Sequence, residues 1–330
     1  MFLYFLIMIS FVGKETQSIS LSSNEHSVLF YESWHFNTVH FDDGVYFIIK
    51  GDRKINEGLT IYRWTKTGFE KLFTTTPREG IFDARATVCS QDGSELYMSD
   101  YLAGIIFKYE PNGQFKRYAA KLHTETLFTY NDVVVRGNKF PLHNLETATG
   151  KLDILDKINR QLPDDASHSC EGKANFNEMV LLRHEDQLYL TYKLYDKVLE
   201  FDLKSGALKK TFSMKNLFRG YAAPVEDYFE GVDDPRKNRE LVGNWLAGFH
   251  SLVKMAWRDG ALYGFFRKGS DSQGVWVNLT SPSDFVWNND EQETKLLSMG
   301  PKQVITGHKE EKEDGEITWF LYLNSSLPSL

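Results

Sequence analysis

Cysteine is nearly absent: Cys89 and Cys170 are the only two in 330 residues. They allow at most one internal disulfide and cannot make a structural zinc site alone. Proline is also scarce, with nine residues. No Pro/Gly/Ser-rich stretch divides the chain, which predicts one domain rather than two joined by a linker. Basic charge is in deficit: 38 Lys and Arg against 45 Asp and Glu leave a net charge of −7. That balance argues against a nucleic-acid binder or a protein held on an anionic membrane, since both need a basic face. Long apolar runs are missing. The run Phe2 to Val12, broken only by Ser10, would rise about 16 Å as a helix, roughly half of a hydrocarbon core, so a membrane-spanning chain is not expected. The patterns G-x-S-x-G, H-E-x-x-H, G-x-G-x-x-G and the P-loop do not occur.

What is present points to strands. Hydrophobic residues make up 42% and charged residues 25%, the balance of a globular chain. Aromatics reach 14%, with 24 Phe and 16 Tyr, and aromatic side chains favour sheets over helices. The run at 2–12, followed by the polar segment Gly13 to Ser18, has the length of a signal-peptide core. Residues 1–18 are therefore expected to be removed on export to a secreted or periplasmic location. The segment lacks a Lys or Arg before the run, and a buried first strand is the alternative reading. In an oxidising compartment the two cysteines could pair, although nothing in their spacing requires it.

The chain repeats. Residues 93–118, 186–212, 44–73 and, more faintly, 132–155 share a layout: a β-rich run, a second run ending in aromatic and acidic residues, a Gly turn, then a last run. First turns are expected at 43–44, 92–93, 131–132, 185–186, 259–260 and 314–315, with Gly68, Gly113, Gly150 and Gly206 marking second turns about twenty residues later. Double hairpins recurring in this way describe four-stranded antiparallel units around an axis, an all-β six-bladed β-propeller. Residues 19–330 would form that single domain. The last unit supplies strand-like segments only at 303–306 and 316–323. Its missing strands are expected from the amino terminus, at 19–21 and 27–31, which would close the ring and hide its edges. A β-sandwich followed by a smaller β domain is the competing architecture. On the LeuTyr pairs after acidic turns and the aromatic-acidic pairs before Gly turns, the chain resembles six-bladed propellers of the TolB-like and NHL-like superfamily, particularly exported proteins of the Bacteroidetes type. The resemblance implies the fold and hardly touches function.

The counted turns are short and share one rim, so loop length collects on the other. Residues 159–175 and the long insert 214–248, which has room for a helix, belong there. The residues expected around the funnel on that rim are Arg53, Asp83, Arg85, Tyr101, Glu125, Asn177, Glu178, Tyr195, His250 and Arg267. Arginines would hold acidic groups on a ligand and tyrosines would stack against it. The favoured reading is a non-catalytic exported propeller binding a polar ligand or a protein partner through this rim. The alternative is a metal-dependent hydrolase or lactonase of the gluconolactonase and regucalcin type. Asn131-Asp132-Val133 looks like that family's Asn-Asp-Val element, which implies a divalent cation such as calcium in the funnel, held with acids such as Asp83, Glu125 or Glu178. It would need a register in which the turn falls at Gly137-Asn138 instead of 131–132. His168 and Cys170, in the acidic stretch 164–171, lack the further ligands or oriented base that a metal site or a cysteine nucleophile demands.

Overall fold

The computed structural model describes residues 17–22, 36–49, 58–76, 84–100, 104–110, 115–120, 126–130, 133–137, 142–144, 153–162, 179–192, 195–215, 217–223, 239–268, 274–281, 285–289, 291–311, 313 and 317–327. Antiparallel sheets dominate them. The first sheet comprises β2 (Phe36–Phe41), β3 (Gly44–Ile49), β4 (Thr60–Thr65) and β5 (Gly68–Thr74). The second comprises β6 (Ala84–Cys89), β7 (Leu96–Asp100), β8 (Ile105–Tyr109) and β9 (Phe115–Ala120). The third has β10 (Thr126–Tyr130), β11 (Val133–Gly137) and β12 (Leu142–Asn144), followed by helix α1 (Ile154–Asn159). The fourth runs β13 (Met179–His184), β14 (Gln187–Tyr192), β15 (Lys197–Asp202) and β16 (Leu208–Ser213). Helix α2 (Arg239–Gly248) precedes the fifth sheet, β17 (His250–Arg258), β18 (Ala261–Lys268), β19 (Gly274–Asn278) and β20 (Phe285–Asn288). The last sheet contains β21 (Lys295–Met299), β22 (Val304–Glu311) and β23 (Ile317–Asn324), with the amino-terminal strand β1 (Gln17–Ser22) beside β23.

The period of two is used on both faces. Along β3, Val45, Phe47 and Ile49 join a core shared with Ile305, Trp319 and Leu321 of the last sheet. Between them, Tyr46 and Ile48 join a core shared with Met98 and Phe107 of the second sheet. Alternate residues thus serve different neighbours, and β3 is buried at every position. The same split recurs along β14, where Leu188 and Leu190 meet α1 and the third sheet while Tyr189 meets the fifth. Leu127 of β10 meets Tyr97 and Ile106. Trp276 and Trp287 of the fifth sheet meet Leu296 and Val304 of the last. Face-to-face stacking of this kind, with each core shared by consecutive sheets, is a β-propeller.

Three expectations change. Five sheets carry four strands, whereas β10–β11–β12 carries three among the described residues, so five complete blades stand where six were expected. The last run of that unit, read from the sequence as a strand ending near 155, begins a helix at Ile154. Leu155, Ile158 and Leu162 are spaced to bury one helical face, and they sit in the core between the third and fourth sheets. Helix α1 also supplies hydrogen-bond partners to β12. The Asn159 carboxamide accepts from Leu142 N at 3.0 Å and donates to Leu142 O at 2.9 Å, the two bonds that a neighbouring peptide would make. Finally, the last sheet needs only one amino-terminal strand, because β21 occupies the position that a second would have taken. β1 pairs with β23 from Gln17 opposite Leu323 to Ser22 opposite Thr318. Residues 27–31 lie outside the described residues.

The turns fall close to their expected places. Glu185 and Asp259, with φ of 51° and 49°, begin two-residue hairpins at 185–186 and 259–260. The first hairpin turns at 42–43 instead of 43–44, since Phe41 already faces Gly44. Gly44 is fixed by space: a Cβ there would lie 2.4 Å from Trp64 O. The turn expected at 92–93 belongs to a longer connection, 90–95, in which Asp92 accepts from Ser90 Oγ and Ser94 N. Outer strands are guarded by charge. On β16, Leu208, Lys209, Lys210 and Thr211 are exposed, and the lysines discourage pairing with another chain's strand.

Polar contacts join the last sheet to the first. Thr38 Oγ1 lies 2.5 Å from Ser298 Oγ, and His40 Nε2 lies 2.9 Å from the same hydroxyl. Gly300 touches the His40 ring so closely that a Cβ would stand 2.2 Å from Cγ. Burial, with Arg258 and Lys254 nearby, pushes the His40 pKa down to about 3, so its imidazole is neutral in the folded protein.

Two outcomes are expected. Asn159→Ala leaves both peptide groups of Leu142 without these partners and should cost about 2 kcal/mol, measured by urea unfolding. Because His40 is depressed in the folded state and ordinary, near 6.5, in the unfolded state, stability should be full above pH 6.5 and fall with a slope approaching about 1.4 kcal/mol per pH unit below it. His40→Gln should flatten that slope in unfolding measured across the acid range.

Candidate functional site

Three of the ten residues proposed from sequence for the funnel rim have described side chains, and they share one end of the sheets. His250 opens β17, Arg267 lies near the end of β18, and Tyr195 stands in the connection from β14 to β15. The opposite rim holds the short hairpins at 185–186 and 259–260. Arg267 is paired in register with Ser251, beside His250, which is opposite Lys268. Arg85 falls at the irregularity of β6 between Ala84 and Ala86. Arg53, Asp83, Tyr101, Glu125, Asn177 and Glu178 lie outside the described residues, as does the stretch 164–171.

His250 is held by two backbone contacts. Its Nδ1 accepts from Ala222 N at 3.0 Å, and its own N donates to Ala222 O at 2.9 Å. A ring that accepts at Nδ1 carries its proton at Nε2. Burial lowers its pKa and the facing Lys268 charge lowers it further, which keeps this tautomer neutral. The contacts pin the start of the 214–248 insert against the fifth sheet. As a result Phe218 meets the imidazole edge-on at 5.2 Å and Tyr221 stacks on it at 5.9 Å. Phe266 closes the group, 5.9 Å from both Phe218 and Tyr221.

The wall continues toward the fourth sheet. The Asp196 charge, second to burial, helps push the Tyr221 phenol up to about 12. Asp196 is fixed by Lys215 at 2.9 Å and by Met214 N, which donates to its carbonyl. Tyr195 packs on the core between the third and fourth sheets, with Lys197 Nζ 5.5 Å from its ring centre. The arrangement offers aromatic faces and a neutral imidazole along one stretch of rim. Sequence reading missed Phe218 as a site residue and placed Tyr221 only in the insert. The signal available was the aromatic density of 217–223, which the insert's charged remainder obscured.

The metal-dependent alternative loses its register. Tyr130 pairs with Val133, which leaves Asn131 and Asp132 between two hairpin strands, and β11 continues unbroken to Gly137. Gly137 in turn pairs with Leu142 of β12; Asn131 and Asp132 themselves lie outside the described residues. Among the described residues no cluster of three metal-ligating side chains occurs, and no helix is long and apolar enough to cross a membrane.

No family model matches the chain, and no curated protein does. Solved structures do. A Bacteroides fragilis protein taken to be exported aligns with a TM-score of 0.58 at 8% identity, over 94% of this chain and 96% of that one. The periplasmic gluconolactonase of Pseudomonas aeruginosa gives a TM-score of 0.41 at 14% identity, over 90% of this chain and 87% of that one. A chain of the nidogen/laminin complex gives 0.36 at 15% identity; the match spans 53% of this chain and 62%, less than two thirds, of that one. At 8% identity the first of these likenesses speaks to architecture alone, and it agrees with the strand order: the chain folds as an all-β propeller.

Proposed function

We propose that the protein is an exported, non-catalytic six-bladed propeller that binds a small polar ligand on the rim carrying Tyr195, His250 and Arg267. In this reading the three-stranded sheet with α1 counts as the sixth blade, and β1 closes the ring through β23. The observation that supports a ligand there is the wall of Phe218, Tyr221 and His250, with Lys268 opposite His250. Rings 5 to 6 Å apart present apolar faces, and Lys268 is the residue paired with His250. Such a wall suits a ring-shaped or planar ligand with an acidic or hydroxyl-rich edge: the rings take its apolar face and Lys268 its oxyanion. The neutral His250 adds an Nε2–H donor without adding charge.

Export fits a cleavage that leaves β1 whole. Gln17 and Ser18 are paired strand residues, so the mature chain should begin before Gln17 rather than after Ser18. Amino-terminal sequencing of the secreted protein checks this.

The binding reading is tested by saturation-transfer NMR against a panel of hydroxy acids and short acidic oligosaccharides. A hit should be lost on Tyr221→Ala and weakened about tenfold on Lys268→Ala, and kept on Lys66→Ala in a turn of the opposite rim. Calcium-dependent opening of a lactone in the same panel would replace this reading with the hydrolase one.

A further inference from the structure

The insert that follows the fourth sheet is held to the fifth through His250. Met214 and Leu217 are buried in the core between those sheets and anchor its start. Beyond them the chain turns on a bond from Tyr221 N to Phe218 O and passes through Gly220. Gly220 has a φ of 87° and open space where a Cβ would stand, so little around it resists a change of direction there. Ala222 and His250 then exchange two bonds of different kinds. The one from His250 N to Ala222 O joins backbone groups that do not titrate. The one from Ala222 N to the imidazole Nδ1 exists only while that nitrogen keeps its lone pair.

A proton added to the ring enters at Nδ1, since Nε2 already carries one, and turns an acceptor into a donor. Two N–H groups then face each other across 3.0 Å, and the Ala222 amide loses its partner. The surrounding groups act in both directions. On β18, Lys268 stands opposite His250 and its charge opposes a second one there, with Arg267 next to it opposite Ser251. On the insert, Tyr221 stacks on the ring and Arg219, two residues before it, is exposed. From the fourth sheet, Asp196 acts on Tyr221. Helix α2, which leads into β17, has Glu240 in its first turn and no basic residue in its last. The stacked phenol favours a cationic ring, whereas burial and Lys268 oppose it and lower the pKa while the contact holds.

We infer that His250 is an acid-sensitive latch: protonation at Nδ1 releases the Ala222 amide and lets residues 221–223 swing on Gly220, taking Tyr221 off the imidazole and opening the aromatic wall. Once released, the ring returns to its ordinary value near 6.5, so the released form holds the extra proton more tightly than the docked one. Docking is therefore complete above pH 6.5 and weakens as the pH falls below it, by up to about tenfold per pH unit until the docked ring itself titrates. As control of the rim site the latch rests on the ligand reading given above. As a property of the free chain it does not.

The test follows amide hydrogen exchange at Ala222 by NMR, on the full-length folded protein without ligand, as protection relative to the intrinsic rate. Protection should be up to about tenfold lower at pH 5.5 than at pH 7.5. In His250→Asn the side-chain oxygen takes the place of Nδ1 and does not titrate, so protection should be lower through lost stacking but level with pH. His250→Phe keeps a ring without an acceptor, and should lose about tenfold at pH 7.5 with no further fall. His40→Gln acts on the whole fold and should leave the fall at Ala222 in place. Level protection in the wild type, a fall that persists in His250→Asn, or one that vanishes in His40→Gln would each overturn the latch. Because no ligand is present, a rim that binds nothing leaves the latch standing, and level protection at Ala222 leaves the rim reading standing.

Discussion

Everything in this molecule depends on sheets that are apolar on both faces. A four-stranded sheet alone would expose two greasy surfaces, and only a neighbour on each side removes them from water. In β3 the constraint is met residue by residue, with Val45, Phe47 and Ile49 facing one neighbour and Tyr46 and Ile48 the other. Stacking in sequence leaves the first and last members each with one bare face. Here those faces meet each other, as Phe47 and Trp64 of the first sheet share a core with Ile305 and Trp319 of the last. The junction is further fixed by directional contacts, Thr38 and His40 on Ser298.

Where the repeat falters, side chains imitate the missing backbone. Asn159 binds both peptide groups of Leu142 beside a three-stranded sheet. Asn289 does the same for Leu296, accepting from its N at 2.7 Å and donating to its O at 3.1 Å. A carboxamide is the one side chain that carries a donor and an acceptor in the geometry of a peptide, so it can end a sheet without leaving orphaned groups. The helix bearing Asn159 also lodges in the fourth sheet through Gln161, whose amide reaches Gly206 O at 2.6 Å and Leu208 N at 3.1 Å. An irregular blade is thereby fixed to a regular one.

This logic governs what could be read from the sequence. The middle strands were legible because double-sided burial makes them continuous apolar runs between turn residues: ValTyrPheIleIle after 43–44, LeuTyrLeu after 185–186. Turns with a positive φ were legible at Asp259-Gly260, since few residues tolerate it. The third unit was not. LysLeuAspIleLeu satisfies a strand pattern locally, and only the continuation to Ile158 and Leu162 reveals helical spacing. The shared rim of three candidate residues was legible. Tyr195, His250 and Arg267 followed from topology, because the residue opening an inner strand and those flanking the second-to-third connection must share a rim. Phe218 and Tyr221 were beyond reach, for they arrive by the bonds of Ala222 to His250, a contact across 28 residues that no local pattern encodes. Lys254 was hidden more deeply. Strict alternation from Ser251 would turn it to the other face, and a single extra residue at Val253 reverses that.

The two polar regions therefore differ in kind, and the fold explains why. At the rim, side chains extend beyond the stacked cores, so aromatic rings can gather there at little cost and remain half in water. Where the first and last sheets meet, Thr38 and His40 of β2 face Ser298 of β21. Neutral groups suit that place, as His40 shows by surrendering its proton. A lysine does not, because burial and a neighbouring guanidinium both oppose its charge. An unbulged β17 would turn it away. The extra residue Val253 instead turns Lys254 to the face that holds Arg267, so one bulge decides which neighbours this side chain meets.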